Sequence, residues 1–105
     1  MTFITYIAYP TTPGGRFDLE YYNTTHMAIV ERHWKGLGLE SWSVTSFAAD
    51  APYVALATIV WKDAASSQRA MTPENGLLEV VADLPKFTDI KAVHFSGTVA
   101  ASSSL

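Results

Sequence analysis

The run Tyr53–Trp61 constrains the fold of this chain more than any other segment, because it reads as a β-strand with apolar side chains on both faces. Successive side chains of a strand point to opposite faces. One face of this run carries Tyr53, Ala55, Ala57, Ile59 and Trp61, and the other carries Val54, Leu56 and Val60. A sheet with one solvated face alternates apolar and polar residues. We therefore expect both faces of this sheet to be covered.

The rest of the chain predicts one α+β domain around that strand. Strands are expected at residues 2–9, 40–47, 53–61 and 89–99, and helices at residues 19–35 and 64–71, with a continuation over residues 74–82. This order is the split βαβ pattern of a ferredoxin-like βαββαβ domain, with a four-stranded antiparallel sheet and two helices on one face. We expect the domain to fill residues 1–100 and residues 101–105 to form a flexible tail.

The composition favours self-association. Hydrophobic residues make up 49% of the 105 residues and charged residues only 16%, which is little charge for a small soluble monomer. Two helices cover only one face of the predicted sheet. A second copy of the chain is the natural cover for the other face, so we predict a homodimer with C2 symmetry and sheets packed face to face.

Charge and hydropathy exclude several other partners. The net charge is −3 and there is no run of Lys or Arg, which argues against nucleic-acid binding. No apolar stretch has membrane-spanning length and the N-terminus does not resemble a signal peptide, so we expect no membrane association and, by default, a cytoplasmic location. The absence of cysteine excludes disulfides and thiolate chemistry.

A histidine on the inward side of the first helix is the main functional candidate. Asp18 is a good N-cap, and helical spacing places these residues on one face: Leu19, Tyr22, His26, Ile29, Val30 and His33. His26 is either a buried structural histidine, bonded to a backbone carbonyl or a tyrosine, or a general acid/base in a pocket. The second role suits imidazole, whose unperturbed pKa is about 6.5.

Nothing in the sequence predicts a metal or a cofactor. His26 and His33 are two helical turns apart, about 10.5 Å along the axis, which is too far for both to hold one metal ion. His94, on the last predicted strand, reaches either histidine only through the fold. The chain has no phosphate-binding loop, nucleophile elbow or dinucleotide-type glycine pattern.

Several segments, in order along nearly the whole chain, resemble the EthD-type family of the dimeric α/β-barrel superfamily. They are Tyr9-Pro10, Phe17-Asp18 with Tyr21-Tyr22, Thr25-His26-Met27, Trp34 with Gly38-Leu39, Pro52-Tyr53-Val54-Ala55, and Ala82-Asp83-Leu84-Pro85-Lys86-Phe87-Thr88-Asp89-Ile90. The better-understood relatives include cofactor-free enzymes that act on aromatic or lactone compounds: a methylmuconolactone isomerase and fungal polyketide decarboxylases and dehydratases. The resemblance implies a pocket between the sheet and the helices of each protomer, with His26 as the catalytic residue.

We expect five further residues to contact the substrate, namely Tyr6, Tyr22, Trp34, Asp83 and Thr88. Tyr22 precedes His26 by one helical turn and is suited to orient its imidazole or a ligand oxygen. The resemblance puts the segment of Asp83 and Thr88 beside the pocket. Each has a structural alternative: Asp83 suits a turn or a cap, and the tryptophans suit the core or a dimer interface.

These observations predict a cofactor-independent enzyme that acts on an aromatic, lactone or polyketide-like compound by isomerisation, decarboxylation or elimination. The alternative is a non-catalytic dimer that binds or carries a hydrophobic metabolite. A third interpretation, cofactor-free oxygenation, requires a substrate that itself activates oxygen.

Overall fold

A computed structural model describes all 105 residues of the chain and confirms the ferredoxin-like fold. Its four strands form one antiparallel sheet in the order β2-β3-β1-β4. They are β1 (Phe3–Pro10), β2 (Leu39–Ser46), β3 (Tyr53–Trp61) and β4 (Val93–Thr98). The helices cover one face of this sheet and leave the other open. The structure is accordingly only 20 Å thick, as two layers require.

The first helix occupies residues 19–37 and changes its geometry along its length. It is α-helical over Leu19–Tyr21, π-helical over Tyr22–His26, α-helical again over Met27–Trp34, and ends in a 3₁₀ turn over Lys35–Leu37. Asp18 caps its start by accepting from the backbone N–H of Tyr21. Gly38, with a φ of 104°, ends it in the left-handed region that glycine tolerates.

The π-helical turn is a departure from the regular helix that the sequence predicted. The backbone N–H of Met27 donates to the carbonyl of Tyr22, five residues back. The hydroxyl of Thr24 donates to the carbonyl of Glu20, a bond that competes with regular helix geometry. The extra residue in this turn shifts the inward stripe to Met27, Val30 and Trp34, while His33, predicted to face inward, lies at the side of the helix.

The second helical region consists of short pieces. These are the helix Ala64–Ala70, the 3₁₀ turn Pro73–Asn75, the third helix Leu77–Ala82 and the 3₁₀ turn Leu84–Lys86. Asp63 caps the first piece by accepting from the backbone N–H and the hydroxyl of Ser66. Gly76 joins the middle pieces with a φ of 93°, and a Cβ at this position would lie 2.3 Å from the ring of His33.

The last strand is shorter than predicted, because it begins at Val93 rather than at residue 89. The segment before it is tied to the loop that precedes the first helix. Thr88 forms an isolated bridge with Phe17, and the carboxylate of Asp89 accepts from the backbone N–H of Arg16 at 2.8 Å. These contacts hold the segment away from β1, so it cannot extend the strand pairing.

The core lies between the sheet and the helices. Aromatic residues fill much of it, with Trp34 and Trp61 packed at 5.6 Å between ring centroids, and Tyr9 and Tyr22 at 5.5 Å. None of the helices combines the length and the apolar character that a membrane span requires.

Candidate functional site

His26 lies in the π-helical turn of the first helix, with only 4% of its surface exposed. Its Nδ1 is 2.9 Å from Oδ2 of Asp83, which is itself buried. The two residues are 57 positions apart in the chain. Asp83 ends the third helix, so the packing of that helix against the first one brings the two side chains together. π-Helical turns are often found at functional sites.

The hydrogen bonds of Asp83 determine which nitrogen of His26 is free. A carboxylate only accepts hydrogen bonds, so Nδ1 carries the proton and Nε2 of the neutral ring is an acceptor. The other oxygen, Oδ1, accepts from the hydroxyl of Tyr21 at 2.8 Å, and the ammonium of Lys86 lies 3.8 Å from it. Asp83 is thus anchored on two sides, and it fixes both the tautomer and the ring plane of His26.

Aromatic rings enclose the imidazole. Tyr22 stacks on it at 5.3 Å between ring centroids and an interplanar angle of 15°, and Phe87 packs against it at 4.6 Å. Burial among these rings lowers the pKa of His26, and the hydrogen bond and charge of Asp83 oppose that effect in part. His26 is therefore neutral at pH 7 and poised to accept a proton.

His26 lines a cavity of about 250 Å³ between the sheet and the helices. Because its Nδ1 is bonded to Asp83, Nε2 is the ring nitrogen left for a ligand. Besides His26 and His94, the walls are apolar or aromatic: Ile7, Tyr9, Trp34, Met71, Leu77, Val80, Val81 and Leu84. This is the composition of a site for a small apolar molecule.

A second cavity of about 240 Å³ adjoins the first and shares Tyr9, Leu84 and His94 with it. Its remaining walls are Ile90, Lys91 and Ala92. His94 projects from β4 on the helix-covered face of the sheet, since it pairs in register with Ile7 of β1. The fold thus brings His94 to the same space as His26.

The other predicted site residues lie in different surroundings. Trp34 lines the cavity that contains His26 (hereafter the inner cavity; the adjoining one is the outer cavity) and donates from Nε1 to the carbonyl of Asn75, whereas Tyr22 stacks on the imidazole. Thr88 donates to the carbonyl of Arg16 and accepts from the backbone N–H of Ile90, so its hydroxyl is used in the loop. Tyr6 lies on the opposite face of the sheet, stacked on Phe95 at 5.3 Å.

Sequence reasoning missed the contributions of Tyr21 and His94. Regular α-helical spacing selected Tyr22 as the partner of His26, whereas the π-helical turn lets Tyr21 reach Asp83, the residue that orients the imidazole. Asp83, in contrast, could be predicted as a site residue, because it is the one acidic residue between Val80 and Lys86 and is followed by an apolar residue and a proline. For His94, the only indication in the sequence was its position on the last predicted strand.

The His, Asp and Glu side chains lie too far apart for any three of them to bind one metal ion together. His33 is instead bonded to Glu79 on the third helix at 2.6 Å, and Arg32 donates to the same carboxylate. This cluster joins the first and third helices at the surface, away from the cavity.

The fold resembles that of several solved structures. An EthD-like protein from Ralstonia eutropha JMP134 is 28% identical with a TM-score of 0.84, over 98% of this chain and 96% of that one. An ethyl tert-butyl ether D (EthD) family protein from Bacillus halodurans C-125 is 17% identical with a TM-score of 0.68, over 94% and 99% of the two chains. SnoaB, a cofactor-independent oxygenase from Streptomyces nogalater, is 16% identical with a TM-score of 0.53, over 96% and 93%.

No protein-family model and no curated protein sequence matches the chain. The four-stranded sheet and the likeness to these structures define a ferredoxin-like protein of the dimeric α/β-barrel superfamily. Within that superfamily, the extent of the match to the Ralstonia protein supports the resemblance first seen in the sequence. The chain is thus similar to an EthD-like protein over nearly its whole length.

Proposed function

We propose that this protein is a cofactor-independent enzyme that uses His26 as a general acid/base on an aromatic, lactone or polyketide-like compound. The carrying observation is the unprotonated Nε2 of His26 at the wall of an apolar cavity, with Nδ1 held by the buried Asp83. A positioned base of this kind typically contributes a factor of about 10²–10⁴ to the rate.

The chemistry requires only one proton acceptor next to a carbonyl. Nε2 of His26 takes a proton from the carbon beside the carbonyl, and the electron pair of that C–H bond forms an enolate. In an isomerisation the imidazolium returns the proton to a different carbon, and in an elimination the enolate expels a leaving group. In a decarboxylation Nε2 first takes a proton from solvent; the electron pair of the broken C–C bond forms the enolate as CO₂ departs, and the imidazolium then protonates its carbon.

Asp83 assists each of these steps through the charge that develops on the ring. When Nε2 accepts a proton, the imidazolium lies 2.9 Å from the buried carboxylate, whose charge stabilises it. The apolar walls exclude water, which strengthens that attraction. The hydroxyl of Tyr21 keeps the carboxylate in position on its other side.

We infer that the functional form is a homodimer packed through the open face of the sheet. This face is apolar near its centre, where Ile4, Tyr6, Val54, Leu56, Val60 and Phe95 lie side by side. Phe95 and Val93 are 51% and 46% exposed in the single chain, which is unusual for large apolar residues in a sheet. Light scattering at micromolar concentration tests the dimer, and Phe95→Asp should yield folded monomers.

Hydrogen exchange next to a carbonyl tests the acid/base role without knowledge of the natural substrate. An unsaturated γ-lactone such as α-angelica lactone is incubated in D₂O, and loss of its α-proton signal is followed by NMR. His26→Gln should slow protein-catalysed exchange by at least about 100-fold. His33→Gln is the matched control, because His33 lies on the same helix but outside the cavity. Equal exchange by wild type and His26→Gln would refute the mechanism.

The alternative function is carriage of a hydrophobic metabolite, in which His26 only forms a hydrogen bond to the ligand. The predominantly apolar lining of the cavity is equally compatible with this role. Native mass spectrometry of freshly purified protein, followed by analysis of any released compound over time, separates the two. A carrier releases the compound unchanged, and oxygen consumption with that compound would instead indicate an oxygenase.

A further inference from the structure

The two adjoining cavities differ in the polar groups on their walls. The inner one contains His26, whereas the outer one contains Lys91, the only side chain in either lining that carries a permanent charge. No Asp or Glu lines either cavity. His94 lies at the junction, since it belongs to both linings. The combined space is therefore apolar along its length, with cationic and N–H donor groups towards one end.

Lys91 has no partner within the chain. Its ammonium takes part in no ion pair or side-chain hydrogen bond, in contrast to Lys86, which lies 3.8 Å from Asp83. The nearest acidic residue in sequence, Asp89, accepts from the backbone N–H of Arg16 instead. The charge of Lys91 is thus available to a ligand in a space whose other walls are mostly apolar.

The geometry points to a substrate that is an apolar or aromatic acid, whose carboxylate binds Lys91 and His94 in the outer cavity while its ring system extends towards His26. This inference rests on the proposed function, since it assigns the substrate class of the same site. Lys91 offers three N–H donors, and a neutral imidazole at position 94 always carries one. The carboxylate would fix which carbon of the substrate faces Nε2 of His26.

A pair of probes that differ only in charge tests the assignment without turnover. 1-Naphthoate and 1-naphthalenemethanol share one ring system, and isothermal titration calorimetry at pH 7.5 gives the affinity of each. A partly solvated charge pair at close range corresponds to a preference of about fivefold to tenfold for the acid. Because such a pair is screened by salt, the preference should shrink in 0.5 M NaCl.

Two variants assign the preference to these residues. Lys91→Gln should reduce the preference for naphthoate over the alcohol below about twofold and leave the affinity for the alcohol unchanged. His94→Phe should lower the affinity for naphthoate about twofold to threefold. Lys62→Gln is the matched control, because Lys62 is exposed and absent from both linings. It should retain the full preference.

The possible outcomes are distinct. Equal affinity of the wild type for the two probes, or a preference that survives Lys91→Gln, would overturn the inference and leave the apolar cavity and the role of His26 standing. Failure of both probes to bind would overturn the inference together with the proposed small-molecule site. Loss of the preference in Lys91→Gln alone would support it.

Discussion

Replacement of Asp83 by Asn removes the charge beside His26 while preserving shape, and so tests the central feature of the site. The wild-type carboxylate accepts from Nδ1 of His26 at 2.9 Å and from the hydroxyl of Tyr21 at 2.8 Å. In the variant, the amide oxygen still accepts from His26, and the amide NH₂ donates to Tyr21, whose hydroxyl turns to accept. Both hydrogen bonds survive, but neither involves a charged group.

The expected loss in the free energy of unfolding follows from the change of these two hydrogen bonds from charged to neutral. Hydrogen bonds to charged groups contribute about 1.5–3 kcal/mol and neutral ones about 0.5–1.5 kcal/mol, so each bond loses about 1 kcal/mol. The lower desolvation cost of an amide offsets part of the sum, and we expect a loss of about 1–2 kcal/mol in the free energy of unfolding. Asp83→Leu, which leaves the buried N–H of His26 without an acceptor, should lose about 3–4 kcal/mol.

Urea denaturation measures the stability change, and NMR titration of the imidazole measures the electrostatic one. The pKa of His26 should fall in Asp83→Asn, because the carboxylate no longer stabilises the imidazolium. Asp89→Asn is the control: its carboxylate also accepts a hydrogen bond, from the backbone N–H of Arg16, but at the surface. A pKa of His26 that stays unchanged or rises in Asp83→Asn would refute the assigned pairing.

Two further predictions concern stability. Gly76→Ala should lower the free energy of unfolding by about 2–3 kcal/mol, because its φ of 93° is strained for alanine and the new Cβ would lie 2.3 Å from the His33 ring. Gly36→Ala, with open space around it, should change the free energy of unfolding by less than about 1 kcal/mol. Thermal unfolding measures both variants, and equal losses of stability would contradict this prediction. The free energy of unfolding should decline as the pH falls below 6.5, since the native pKa of His26 is lower than the unfolded value and the unfolded chain binds more protons in that interval. Urea titrations between pH 7.5 and 5 should show a smaller decline in His26→Gln, and an identical decline would exclude His26 as its source.

Much of the fold could be predicted because it depends on local periodicity. The alternation of Tyr53–Trp61 predicted a strand with two apolar faces, and the structure has that strand with the same bounds. Asp18 was identified as a helix cap from its position alone, and its carboxylate accepts a backbone N–H of the first turn. The start of the last strand was wrong, because contacts of Thr88 and Asp89 with the loop before the first helix outweigh the local strand propensity.

The candidate site was predicted less completely, because its parts are distant in the chain. Helical spacing was enough to predict that His26 faces the core, because that orientation depends on residues within two turns of it. The register of a π-helical turn, which selects Tyr21 rather than Tyr22 as the residue that reaches Asp83, is not visible in apolar spacing.

The order of strands and helices, the helix caps, the two apolar faces of the sheet and an inward histidine thus follow from the sequence, because each depends on neighbours a few residues away. The bond between His26 and Asp83, the approach of His94 to the same cavity and the location of Tyr6 on the far face required the folded structure. These features depend on how the third helix packs on the first and how β4 pairs with β1. Such long-range packing leaves no periodic signal along the chain.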